Sequence, residues 1–255
     1  MIDTHAHVHD AAFDEDRAEV ISRAKESGIE QIITVGCDLE DSARAVDCAQ
    51  DYGLRASVGI HPHEAKHAPA DIENAFDEFL SGAMQTVVAI GETGLDYFYS
   101  HSSPQQQQQA LRAQLRVAFK RSLPVIFHQR DAFEDFTSVL HEELSEGMRG
   151  VVHCFTGDAR QAMLLTGRFG LKLGIGGVLT FKNAHALREA VKAVGAGHLL
   201  LETDCPYLAP VPHRGQRNEP AFAAQTAKAL SALLDCSTQE LARITDHNAR
   251  ELFNL

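Results

Sequence analysis

Short β-branched and apolar runs recur along the chain, each followed by a stretch whose apolar residues repeat at helical spacing. The runs are Met1–His5, Gln31–Gly36, Leu54–Ile60, Thr86–Gly91, Pro124–His128, Gly150–Cys154, Leu171–Ile175 and His198–Leu201. Between them the spacing predicts helices over 14–27, 40–51, 71–80, 105–121, 132–146, 159–168, 184–194 and 220–234, and a last one over about 238–252. Asp71 reads as an N-cap, Pro104 as a helix start, and Gly28, Gly53 and Gly147 as stops. Strands that alternate with helices pair in parallel, because each crossover returns the chain to the same end of the sheet. Eight such units in 255 residues match the count and size of an α/β fold, the (β/α)8 TIM barrel. An open doubly wound sheet is the runner-up. No linker, charge block or composition shift divides the chain, so residues 1–255 read as a single domain. Gln105–Gln109 is a polar tract at a helix start, too short for a low-complexity segment.

Composition narrows the classes. At 44% hydrophobic and 23% charged residues the chain is not disordered. No window reaches 18 uninterrupted apolar residues, so no membrane-spanning helix is expected. The first residues hold no basic region and no apolar signal core, and nothing predicts secretion. Cys37, Cys48, Cys154, Cys205 and Cys236 are scattered and form no C-x-x-C pair, which argues for a cytoplasmic protein without a disulfide framework. A net charge of −12 excludes a simple nucleic-acid coat, whose affinity comes from neutralised phosphates. It does not exclude an enzyme that grips a few phosphates, above all one whose bound cations reverse the local sign. No obligate protein partner is evident.

The 14 histidines matter through their positions. Asp3, His5 and His7 end the first run, and His61 and His63 follow the third. Glu92 follows the fourth, His128 ends the fifth, His153 closes the sixth and Asp204 follows the eighth. In a parallel barrel those ends open on one face, where loops build the active site. His5 and His7 alternate on a strand, so both imidazoles point to one side. Glu92 follows the apolar run Val87–Ile90, where a carboxylate is costly to bury unless it meets a cation. His128 or His153 alone would read as a satisfied core histidine. Glu202 and Asp204 alternate inward together, and spacing does not separate them. Four histidines and two acids suffice for two ions with open positions, a hydrolytic arrangement.

At these residues the chain resembles the TatD family of metal-dependent deoxyribonucleases, amidohydrolase-like barrels. The matching segments are Asp3–His7, Gly59–His63, Gly91–Tyr97, His128–Ala132, His153–Gly157, Leu201–Leu208, Arg214–Pro220 and Asn248–Phe253. They run in order from the first residues to the last. One departure is Asp246-His247 before Asn248, on the last helix. The resemblance implies that His5, His7, Glu92 and Asp204 hold one metal, that Glu92, His128 and His153 hold the other, and that Glu92 bridges. It selects Asp204 over Glu202, and implies that Asp204 also takes the proton of the attacking water. His63 would donate to charge developing on the scissile phosphate. His61 is its neighbour on the substrate side or a prop for the Pro62 turn, and Arg130, on the loop after the fifth strand, is a phosphate clamp. Two divalent cations are expected: imidazoles suit zinc or manganese, while the resemblance implies magnesium. The expected activity is a 3′–5′ exonuclease on single-stranded DNA, extending to RNA. The alternatives are an acyl or ester hydrolase such as a D-aminoacyl-tRNA deacylase on the same metals, and a metal-binding scaffold without catalysis.

Overall fold

The computed structural model describes residues 1–143 and 149–255. Its strands are β1 (Ile2–Ala6), β2 (Gln31–Val35), β3 (Arg55–Val58), β4 (Val87–Asp96), β5 (Val125–Arg130), β6 (Gly150–Val152), β7 (Lys172–Ile175) and β8 (Leu199–Leu201). The helices between and after them are α1 (Arg17–Glu26), α2 (Leu39–Tyr52), α3 (Ile72–Ala83), α4 (Pro104–Arg121), α5 (Phe133–Glu143), α6 (Ala159–Gly167), α7 (His185–Val194), α8 (Ala223–Leu233) and α9 (Thr238–Phe253). The strands form one sheet in chain order, β1 to β8, and the pairings β1–β2, β3–β4, β4–β5, β5–β6 and β7–β8 are parallel. This is the (β/α)8 order that the alternation predicts. Among the described residues no helix is long and apolar enough to cross a membrane.

Local chemistry sets the element ends. Asp71 caps α3 by accepting from Asn74 N–H at 3.0 Å. Ser103 and Gln106 form a reciprocal capping box ahead of Pro104. Gly53 closes α2 in the left-handed region, at φ 69°. Gly28 follows α1 at φ 84°. Gly147 and the predicted helix end over 144–146 lie outside the described residues.

The chain forms two compact units, Met1–Thr34 with His153–Leu255, and Val35–Val152. In the first unit, β1 is laced to the chain around the end of β8. Thr4 Oγ1 donates to Leu201 O at 3.0 Å, Asp204 N–H to His5 O at 2.8 Å and His7 N–H to Cys205 O at 2.8 Å. The first and last strands of the order are thus neighbours, so the sheet needs no exposed edge there. The Arg214–Pro220 segment clasps the loop after β8 through Asn218, whose Nδ2 donates to Thr203 O and Tyr207 O, and is tied to the start and body of α1 by the Arg217–Asp16 and Arg23–Glu219 pairs. On α9, Asn248 Nδ2 donates to Ala196 O and Leu199 O, and Asp246 accepts from Ile2 N–H at 2.8 Å. The departure at Asp246 therefore ties the last helix to the first strand.

In the second unit, β4 differs from expectation. The glycines of Gly91-Glu92-Thr93-Gly94 suggest that the strand stops at Gly91, yet β4 continues to Asp96 and pairs Asp96 with Arg130. Gly91 and Gly94 sit at φ 137° and 153°, and a Cβ on them would fall on Ile126 O and His128 O. The glycines carry the strand through a register shift between Ile90 and Thr93 rather than ending it. Glu92 is consequently a strand residue, not a loop residue. His128 and Arg130 lie within β5, so Arg130 does not stand on a loop. Behind β5, Phe127 meets Phe136 of α5 edge-to-face at 5.4 Å, both fully buried.

Candidate active site

In the first unit, β1 and the segments after β6 and β8 bring His5, His7, His153 and Asp204 together. His5 is fully buried, and its ring stacks on that of His153 with centroids 3.9 Å apart. Asp204 Oδ1 lies 3.8 Å from His5 Nε2 and 3.6 Å from His7 Nε2. The backbone of Asp204 is left-handed, at φ 58°, and is held there by its bond to His5 O. Burial raises the Asp204 carboxyl, but pairing with His7 and the charges of His153 and His5 outweigh this and leave it below its usual value.

Glu202, two residues away, has the opposite character. It is 1% exposed, Oε1 accepts from Cys154 N–H at 2.5 Å, and Oε2 has no hydrogen-bond partner among the described residues. Burial pushes its carboxyl up to about 8. Gly174 makes room for it, since a Cβ there would fall on Oε2. Donor atoms of His5, His153 and Glu202 lie within 4.8 Å of one another. Asp3 is differently engaged: it accepts from Thr203 N–H at 3.0 Å and Oγ1 at 2.6 Å, and burial raises it to about 7. It fastens β1 to the loop after β8.

In the second unit the structure brings His61, His63, Glu92 and His128 together. His61 opens the Pro62–His67 turn, where its Nδ1 accepts from His63 N–H at 3.1 Å and its Nε2 lies 3.4 Å from Glu92 Oε1. It therefore both props the turn and faces Glu92. Burial lowers it to about 4 against the pull of Glu92, so it is neutral near pH 7. His128 Nδ1 lies 2.8 Å from Glu92 Oε1, and its Nε2 lies 3.0 Å from Asp96 Oδ2. His63 Nε2 meets the same Asp96 oxygen at 3.0 Å. Donor atoms of His61, Glu92 and His128 again lie within 4.8 Å of one another.

Asp96 is the residue that sequence reasoning left without a role. It is 1% exposed; burial raises its carboxyl, and the bonds from His128, Tyr99 N–H and His63 together drive it well below the carboxylate range. Gln107 of α4 fixes it from behind, accepting from Asp96 N–H at 2.8 Å and donating to Asp96 O at 2.9 Å. The polar tract at the start of α4 thus contains a buried brace. The available signal was the two-residue step Glu92, Gly94, Asp96, which a turn-like glycine pattern concealed. Arg130, expected to clamp phosphate, places its guanidinium 3.9 Å from the Phe98 ring centroid.

Sets of imidazole nitrogens and carboxylate oxygens, one of them fully buried with an unpartnered Glu202 oxygen, fit divalent cations. A family model described as TatD related DNase matches residues 2–254. The chain belongs to the TatD family. It is 40% identical over 256 residues to the uncharacterized metal-dependent hydrolase YabD of Bacillus subtilis, covering 100% of this chain and 99% of that one. It is 38% identical over 263 residues to the 3′-5′ ssDNA/RNA exonuclease TatD of Pantoea ananatis, covering both proteins in full, 100% of each. Among solved structures, the TatD homolog YjjV from Escherichia coli K12 superposes with a TM-score of 0.93 at 32% identity, covering 100% of this chain and 98% of that one. This TatD-family chain is a metal-dependent hydrolase with the (β/α)8 TIM-barrel fold.

Proposed function

We propose that the protein is a two-cation phosphodiesterase that trims single-stranded DNA, and RNA, from the 3′ end. The observation that carries this reading is the His61–Glu92–His128 cluster next to His63, a partly exposed imidazole held by the same Asp96 that holds His128. Relatives named as 3′-5′ ssDNA/RNA exonucleases support the substrate class. His5, His7, His153 and Asp204 are the donors of the first unit, and Glu92 and His128 those of the second. When bound, the cations would lower the pKa of a water and neutralise charge developing on the phosphate.

The side chains supply the rest. Asp204, kept ionised by its imidazole neighbours, accepts the proton of the attacking water. His63 donates to the phosphate oxygen as charge builds. Asp96 orients His63 and His128 by accepting from a ring nitrogen of each, so that a second nitrogen of each ring faces away from the brace. Net charge of −12 fits a short grip on the strand rather than a long basic track.

End-labelled single-stranded DNA tests the reading. With added manganese or magnesium, a 5′-labelled strand should shorten stepwise, a 3′-labelled one should release label as mononucleotide, and a chelator should stop both. Intact DNA alongside rapid hydrolysis of a mischarged tRNA or an ester would reject it.

A further inference from the structure

Beside the candidate site, β4 is followed by aromatic residues that the core does not use. Phe98 and Tyr99 are 54% and 42% exposed, large apolar area that folding leaves in water. Their rings meet edge-to-face at 4.8 Å. The Arg130 guanidinium lies 3.9 Å from the Phe98 centroid and 4.9 Å from that of Tyr99. No carboxylate pairs with Arg130 among the described residues. Tyr99 in turn stands 5.4 Å from the His63 ring and stacks on His101 at 5.6 Å.

The placement is fixed by the residue that organises the site. Asp96 Oδ1 accepts from Phe98 N–H and Tyr99 N–H, each at 3.0 Å, while Oδ2 accepts from His63 and His128. Tyr97 N–H donates to Arg130 O at 2.9 Å, continuing the β4–β5 ladder to the base of the patch. One buried carboxylate therefore sets both the imidazoles and the aromatic pair. A guanidinium held over an aromatic face keeps its N–H donors in its own plane, where a phosphate can reach them.

We propose that Phe98, Tyr99 and Arg130 form a stacking platform for an unpaired nucleobase next to the phosphodiester at His63. Planar faces beside one cation suit a base and its phosphate, and every base has a face to stack, so the platform selects for an unpaired base rather than for sequence. A base in a duplex has both faces covered and must leave the stack first. This inference rests on the nuclease reading and names the contact by which that site prefers single strands.

The test compares an oligothymidylate with the same strand carrying an abasic residue at its 3′ end, using metal-loaded enzyme. The wild type should prefer the base-bearing strand by roughly 5- to 100-fold in kcat/KM. Phe98→Ala and Tyr99→Ala should bring that preference towards one, mainly through KM, and Phe98→Trp should restore it. A wild type indifferent to the missing base, or a preference unchanged in both alanine variants, would overturn the proposal. If the wild type cleaves neither strand, the nuclease reading fails separately. The chain has no tryptophan, so Phe98→Trp then reports on the platform alone. Quenching by the base-bearing strand and not by a fully abasic one supports the platform, and its absence refutes it. Self-association that Phe98→Ala abolishes would assign the patch to a second copy and likewise overturn the proposal.

Discussion

Asp204 and Glu202 are two carboxylates two positions apart, and their surroundings give them different chemistry. Asp204 faces His5 and His7 and is driven down, whereas Glu202 sits behind Gly174 with one oxygen unpartnered and is driven up. Asparagine at 204 keeps one coordinating oxygen but cannot accept a proton. Asp204→Asn should fold with an unchanged circular dichroism spectrum and lose about 10²–10⁴ in turnover. Glu202→Gln keeps the oxygen that accepts from Cys154 N–H and should cost much less. Near-wild-type turnover in Asp204→Asn with metal bound would move the base elsewhere, with His63 next in line. Asp96 makes a second test at this scale. Removing a carboxylate that orients a metal-ligating histidine typically weakens metal binding or activity by about 10–100-fold. Asp96→Ala should show that loss in metal titrations as well as in rate; a change confined to thermal stability would reduce Asp96 to a structural brace.

At the scale of the element, β4 decides where Glu92 stands. A strand that ended at Gly91 would leave Glu92 on a loop, free to turn to solvent. The strand instead runs on through the register shift at Gly91 and the close approach at Gly94, and keeps Glu92 and Asp96 in the sheet, both almost fully buried. Gly94→Ala places a methyl on His128 O at a φ that side chains rarely adopt, and should destabilise the fold by about 2–4 kcal/mol in urea denaturation. Gly28→Ala meets nothing within 4 Å and bears only the left-handed backbone cost, about 1–2 kcal/mol. Equal effects at the two positions would mean that the close approach of β4 to β5 is not what the glycines serve.

For the whole molecule, metal should act on stability as well as on rate, because the fold brings the donors together and buries most of them. Each site filled at a hundred times its Kd should add about 2.7 kcal/mol, seen as a rise in Tm on titrating the chelated protein. Titration should saturate at two divalent ions per chain, and Glu92→Gln should weaken both, since the family resemblance assigns that residue to each. Saturation at one ion would remove the shared role of Glu92. Acidic charge over the rest of the surface sets the salt response. Affinity for single-stranded DNA should fall with a log–log slope of about −0.7 per phosphate neutralised, summing to only a few units. A slope near −10, as for a repressor, would reveal an extended basic track.

The alternation of eight strands and their helices is legible in the chain alone, since hydrophobic period and cap residues are local quantities. The helix starts at Asp71 and Pro104 and the stop at Gly53 fall where local rules place them. The chain alone also singles out His5, His7, His61, His63, Glu92, His128, His153 and Asp204, because polar residues at the ends of apolar runs stand out in one dimension. Tertiary structure decided what each of them faces. Asp3 looked like a ligand and is bound by Thr203, and Arg130 looked like a loop residue and stacks on Phe98 from within β5. Asp96, its two-residue step from Glu92 hidden by the glycines around it, braces His63 and His128, and Gln107, which carried no local signal, braces Asp96. Side-chain direction in β4 depends on a register shift that pairing with β5 imposes, and the burial that separates Glu202 from Asp204 depends on residues brought in from β7 and from the chain after β6. Those are contacts between distant parts of the chain, and no local pattern encodes them.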